Sequence, residues 1–155
     1  MEKHLKWLLL LCFMAILQSC ATVTTKSIPI EKVVQIEKAS KNKLYVRANQ
    51  WMVDQFNNAK SVIQFSDKES GSISGRYLLG KVSAGSQYGP PRYVYASIKI
   101  RVKNGASKIT IKPESFRYAE GNPYTLYTKE DVKKDVDGLI ASFEKFMKIS
   151  DDTNW

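Results

Sequence analysis

Histidine and cysteine are scarce in this chain, and no apolar run is long enough to cross a bilayer. The single histidine is His4, and the two cysteines are Cys12 and Cys20. His4 and Cys12 both lie ahead of Cys20, so residues 20–155 hold no histidine and one cysteine. A disulfide within that stretch is excluded. So are a Ser-His-Asp or Cys-His nucleophile pair and a zinc site of histidine and cysteine. The longest apolar run, Trp7 to Leu17, is 11 residues, against roughly 20 for a membrane span. There is no internal repeat and no low-complexity tract. A hydrophobic fraction of 43% and a charged fraction of 25% in 155 residues fit one ordinary globular domain with at most a short appendage.

The N-terminus reads as an address. Lys3 and Lys6 precede the apolar run, which ends in Leu17-Gln18-Ser19-Cys20. A basic start, a short apolar core and a small residue at the end make a signal peptide over residues 1–19. Leu17 to Cys20 resembles the lipobox of bacterial lipoproteins: an aliphatic residue, a tolerated residue, a small residue, then cysteine. The resemblance implies cleavage before Cys20 and acylation of both its sulfur and its new amine. It also implies an exported protein of the bacterial cell envelope, lipid-anchored to the outer membrane. The plainer alternative is a secretory signal or uncleaved anchor, with Cys20 an ordinary thiol. Residues 20–28 then form a tether, whose eight residues after Cys20 reach about 25 Å when extended. Residues 29–149 form the domain, and residues 150–155 fray.

Within the domain, Pro29 to Lys38 reads as a strand, with Val34 and Ile36 alternating against Val33, Gln35 and Glu37. Ser40 caps a predicted helix over about 41–58, along which Leu44, Ala48, Trp51, Met52 and Phe56, with Ala59 just past its end, form one apolar stripe. Predicted strands follow at 61–66, 72–82, 93–103 and 106–112, the last resuming at 116–118 after Pro113. The glycines of the second of these, Gly75 and Gly80, mark a bulge or a close backbone approach. Residues 93–103 alternate strictly, with Val94, Ala96, Ile98, Ile100 and Val102 on one face. Asn104-Gly105 signals a two-residue hairpin of type I′. A last helix starts at Thr128, with Glu130 and Asp131 in its first turn and Lys145 and Lys148 near its end, each on the side that suits the helix dipole. Its stripe is Val132, Val136, Leu139, Ile140, Phe143 and Met147.

The order β-α-β-β-β-β-α, with one apolar sheet face and one stripe per helix, predicts a two-layer α+β domain. An antiparallel sheet carries both helices on one face. The same order resembles the half-repeat of the TATA-binding-protein fold. The chain is similar to a family of bacterial envelope lipoproteins carrying a domain of unknown function with that fold. The resemblance lies in Ala48 to Phe56 around Trp51, Ile63 to Gly75 with Asp67 and Gly71, and Ile98 to Ile111 around Lys103-Asn104-Gly105. In element order it covers roughly residues 30–147. It brings no catalytic residue, metal or cofactor.

Two surfaces are candidates for binding. Removing Lys3, Lys6 and Glu2 from 24 basic and 15 acidic residues leaves a charge of +8. Part of this excess falls on the polar sheet face: Lys99, Arg101 and Lys103 on one strand, Lys108 and Lys112 on its partner, with Tyr93 and Tyr95 continuing the first row. A basic sheet with aromatics is one footprint of nucleic-acid binding, but an exported domain does not meet cytoplasmic DNA. The face suits lipopolysaccharide phosphate, acidic glycan or lipid headgroups, or is a solvated face whose lysines blunt strand edges. The second candidate is the rim shared by loops 83–92 and 119–127, with Tyr88, Arg92, Asn122, Tyr124 and Tyr127. Tyrosine beside glycine and arginine suits recognition; the alternative is that these loops only close the core.

The carboxylates make no recognisable site. Asp67-Lys68-Glu69-Ser70-Gly71 lacks the alternating ligands of a calcium loop, and Gly71 to Gly75 lacks the lysine of a phosphate loop. The sequence therefore points to a non-catalytic envelope lipoprotein, anchored to a membrane and serving as a binding or structural module for an envelope protein or glycan. The alternatives are a binder of anionic glycan or lipid through the basic face and, behind it, an enzyme using carboxylate, tyrosine or lysine chemistry.

Overall fold

A computed structural model describes residues 21–149 apart from Tyr88, and Ser61 only in its backbone. Residues 1–20, with the stretch read as a signal peptide and Cys20, and residues 150–155 lie outside the described residues. The elements are β1 (Thr22–Thr24), β2 (Ile30–Gln35), α1 (Lys41–Gln55), α2 (Ala59–Val62), β3 (Ile63–Asp67), β4 (Ser72–Ser83), β5 (Arg92–Lys103), β6 (Ala106–Pro113), β7 (Arg117–Ala119) and α3 (Lys129–Lys148). Five strands make one antiparallel sheet in the order β2-β6-β5-β4-β3, and β1 pairs with β7 in a separate ribbon.

Both long helices pack on one face of the sheet, as the apolar pattern requires. Ala96, Ile98, Ile100 and Val102 are buried there with Ile109 and Ile111, beneath Leu44, Ala48, Trp51 and Met52 of α1 and Val136, Phe143 and Met147 of α3. Each large aliphatic side chain so buried contributes about 1.5–3 kcal/mol. Trp51 is the hub: its ring meets Phe143 edge-on at 5.1 Å, and its indole N–H donates to Ser142 Oγ at 3.1 Å. Ser40 caps α1 by accepting the Lys43 N–H, and Thr128 and Asp131 form a capping box on α3. A second, smaller core of Val82, Val94, Tyr118 and Tyr127 fills the end of the sheet near β7.

The structure departs from the sequence reading in four places. The stretch read as a free tether is partly strand: Val23 faces Tyr118 across β1–β7 and packs on the second core. Thr25 and Ser27 also bond to the carbonyls of Phe116 and Pro113. Its β-branched run gains from pairing what three residues alone would not. Helix α1 stops at Gln55 rather than Asn58, because Phe56 turns to extended backbone and lays its ring 5.1 Å from Tyr77. The chain re-enters one helical turn, α2, before β3. Finally, Asn104-Gly105 closes the hairpin, but only Gly105 has positive φ, at 76°, the type II signature. Tertiary bonds select that form: Gly105 N–H donates to Ala39 O, Ile36 N–H donates to Gly105 O, and Asn104 Oδ1 accepts the Lys41 N–H.

Both strand glycines are places of close approach. A Cβ on Gly75 would stand 2.3 Å from Val62 O, and one on Gly80 would stand 2.6 Å from the Tyr127 ring. Gly80 also follows a register shift in the β4–β5 ladder.

Candidate functional site

With both helices on one side, the other face of the sheet is open. Strand register arranges its side chains in rows that run across the strands. One row reads Val33, Lys108, Arg101, Ser72, Asp67; the next reads Glu31, Thr110, Lys99, Ser74, Phe65. Lys112, Ser97 and Arg76 make a third, Tyr95 and Leu78 a fourth, while Lys103 lies beyond Arg101 at the hairpin end. Alternate residues of β5 are about 6.8 Å apart along the strand, so Lys99, Arg101 and Lys103 form an evenly spaced basic line.

The four basic residues singled out from sequence, Lys99, Arg101, Lys103 and Lys112, are all exposed on this face. Lys108 is different. It faces Arg101 directly, a like-charge pairing that is destabilising alone, and Glu31 relieves it at 2.7 Å. Lys108 and Thr110 hold the Glu31 carboxyl below the ordinary carboxylate range. Arg76 is also occupied: it pairs with Glu114 at 2.8 Å and lies 3.8 Å over the Tyr95 ring. Lys99, Lys103 and Lys112 make no ion pair among the described residues. Lys99 has a hydroxyl on either side, Ser74 and Thr110, and Arg101 has Ser72. The centre of the face is therefore a field of hydrogen-bond donors.

Beyond Tyr93, which the alternation of β5 already puts on this face, the structure adds an apolar part that sequence reading did not assign. Val33, Phe65, Leu78 and Tyr93 are each about half exposed and share the face with the cations. The strand alternation that placed Lys99 outward also places Val33 outward. Phe65 and Leu78 are fixed only by pairing opposite Ser74 and Tyr95, which sequence does not give.

The rim is assembled as its loops require. Strand β4 ends and β5 begins there, and Leu126 N–H donates to Val82 O at 2.9 Å. A cavity of about 710 Å³ opens between the two loops, lined by residues that include Gly85, Pro90, Arg92, Pro123, Tyr124 and Leu126. Arg92 and Tyr124 thus come together. Asn122 does not line the cavity: its Oδ1 accepts the Tyr124 N–H at 2.8 Å, a turn-forming role. Tyr127, expected in the cluster, is instead 8% exposed in the second core, and its hydroxyl donates to Asp135 at 2.7 Å. Burial first, then that carboxylate, raises its pKa. Tyr88 lies outside the described residues. Among the described residues no three histidine, cysteine, aspartate or glutamate side chains stand close enough to hold a metal.

A family model described as a domain of unknown function (DUF4468) with TBP-like fold matches residues 31–118. Among solved structures, a TBP-like protein from Parabacteroides distasonis is similar at 13% identity. It covers 78% of this chain and 92% of its own, with a TM-score of 0.54. A DUF4468 family protein from Bacteroides ovatus is similar at 18% identity, over 77% of this chain and 82% of its own, with a TM-score of 0.48. No curated protein matches the chain. The architecture is that of the TBP-like fold, α+β with an antiparallel sheet and two long helices.

Proposed function

The chain belongs to the DUF4468 family of TBP-like fold, and on that footing we propose that it is a non-catalytic lipoprotein of the bacterial envelope. Acylated at Cys20, it holds a partner protein on the open face of its sheet. One observation carries the reading. Lys99, Arg101, Lys103 and Lys112 share an uncovered face with the exposed Val33, Phe65, Leu78 and Tyr93. A face that served only for solubility would have no use for four exposed apolar side chains beside its charges. Apolar and aromatic groups within a polar surround are the composition of protein interfaces. The cations set the partner's sign: its docking surface is acidic.

A second reading has its own support. The alternation of Lys99 and Arg101 with Ser72, Ser74 and Thr110 suits oxyanions, so an anionic glycan, lipopolysaccharide or lipid headgroup fits the same face without its apolar part. Two variants separate the readings. Lys99→Glu/Arg101→Glu should abolish capture in both cases. Phe65→Ser/Leu78→Ser should abolish capture of an envelope protein by in-cell crosslinking but leave retention on immobilised lipopolysaccharide intact. If both variants capture the wild-type set of partners, the open face is not the binding surface. Membrane release by Cys20→Ser tests the anchor; unchanged retention refutes it.

A further inference from the structure

The chain ahead of the domain enters at one definite place. Ala21 O accepts the Glu120 N–H at 3.0 Å, Thr22 lies opposite Ala119, and Val23 lies opposite Tyr118. Whatever is bonded to the Ala21 nitrogen therefore starts beside the turn that opens loop 119–127. The greasy part of this sequence, Trp7 to Leu17 or an acylated Cys20, attaches there. Because β1 is paired, little of the 25 Å that a free stretch of this length would span is left as slack.

That end of the molecule has its own chemistry. Tyr124 is 80% exposed and Leu126 53% exposed. They line the 710 Å³ cavity with Pro90 and Pro123. Arg92 and Arg117 are exposed beside them, and Arg92 Nη1 donates to Arg117 O at 3.3 Å. The acid of the adjoining turn is Glu120. Exposed tyrosine and leucine flanked by arginine is the pattern of a membrane–water boundary, where an amphipathic ring sits at headgroup level and cations meet lipid phosphate.

We propose that this rim, built from residues 83–87, 89–92 and 119–127, is the face that lies against the lipid surface, with Tyr124 and Leu126 seated among the headgroups. It rests on the reading that the chain ahead of Ala21 is held to a membrane. It fixes the orientation: the domain is held end-on against the bilayer, and its open sheet face runs away from the membrane and stays accessible from the side.

The test uses the full acylated chain reconstituted in vesicles of phosphatidylethanolamine and phosphatidylglycerol. A fluorophore is placed at Tyr124→Cys and, as a control, at the exposed Asp54→Cys on α1. Tyr124 is exposed, so its replacement leaves the core intact. Nitroxide lipids labelled near the headgroup should quench the probe at position 124 severalfold more than the probe at 54, and an aqueous quencher should do the reverse. Equal access of the aqueous quencher to both positions, with the protein on the vesicles, overturns the proposal and leaves the anchor reading standing. A chain that does not float with the vesicles refutes both. Protection at position 124 that persists in detergent without lipid shows a second copy or another protein on the rim, and also overturns it.

Discussion

The ring of Tyr127 lies against the backbone of Gly80, its Cδ2 and Cε2 2.6 Å from where a Cβ would stand. The contact joins the chain just before α3 to the register shift in β4 and caps the second core. Alanine at this position must push a buried ring out of its seat. Overpacking of this kind costs about 1–3 kcal/mol, and Gly80→Ala should lower the denaturation midpoint accordingly. The same substitution in a Tyr127→Leu background should cost much less, since the ring is gone. Equal costs in the two backgrounds would show that the glycine answers to the backbone and not to the ring.

This pair also shows where sequence reading stops. The alternation of residues 94–102 and the stripes of α1 and α3 were legible because burial on one face imposes a period on local sequence. The fold class and the rough succession of strands and helices along the chain followed from them, but the order of the strands within the sheet did not. Gly80 was legible only as an irregularity: its partner is 47 positions away in the sequence, and no local pattern encodes such a distance. Tyr127 was misplaced for the same reason, as a tyrosine in a loop gives no sign of whether its ring turns inward. The pairing of Thr22–Thr24 with β7 was missed because three residues are too few to show a period. The basic line on β5 was read correctly, but Lys108 could not be set apart from Lys99 without the β2–β6 register that brings up Glu31.

Gly138 has the opposite character. It sits in the middle of α3, and a Cβ there would meet nothing within 4 Å. Glycine in a helix interior costs about 0.8–1.0 kcal/mol relative to alanine, and here no contact offsets that cost. Gly138→Ala should raise the thermal midpoint and the unfolding free energy by about that amount. A loss of stability would mean that the groove it lines with Tyr77 and Asp135 needs the open space.

Glu144 links α3 to the edge of the sheet. Lys148 at 2.7 Å and Lys32 at 3.0 Å hold its carboxyl below the ordinary value of 4.5. A carboxyl lowered on folding contributes stability that is present above its unfolded value and lost as pH falls through its folded one. The midpoint difference between wild type and Glu144→Gln should therefore be widest near neutral pH and close below pH 4.5. A difference that stays constant through acid would assign the effect to packing. Added salt should also narrow it, because both lysines are exposed and the carboxylate is only partly covered.

Asn104 serves two structures at once. It occupies the β5–β6 hairpin turn, and its Oδ1 accepts the Lys41 N–H at 2.8 Å, 63 residues away, at the first turn of α1. Ser40 already accepts the Lys43 N–H of that helix, so the hairpin supplies a second acceptor to donors that α1 cannot satisfy internally. Asn104→Ala removes the acceptor and should cost about 1 kcal/mol, the usual worth of a cap. Asn104→Asp keeps an oxygen in place and adds a negative charge at the positive end of the helix dipole, so it should cost nothing or stabilise slightly at neutral pH. If Asp and Ala lose the same amount, the contribution of Asn104 lies in the turn. If only Ala loses stability, the helix and the hairpin are coupled through one oxygen, and amide exchange in the first turn of α1 should rise with that variant while the β5–β6 ladder stays protected.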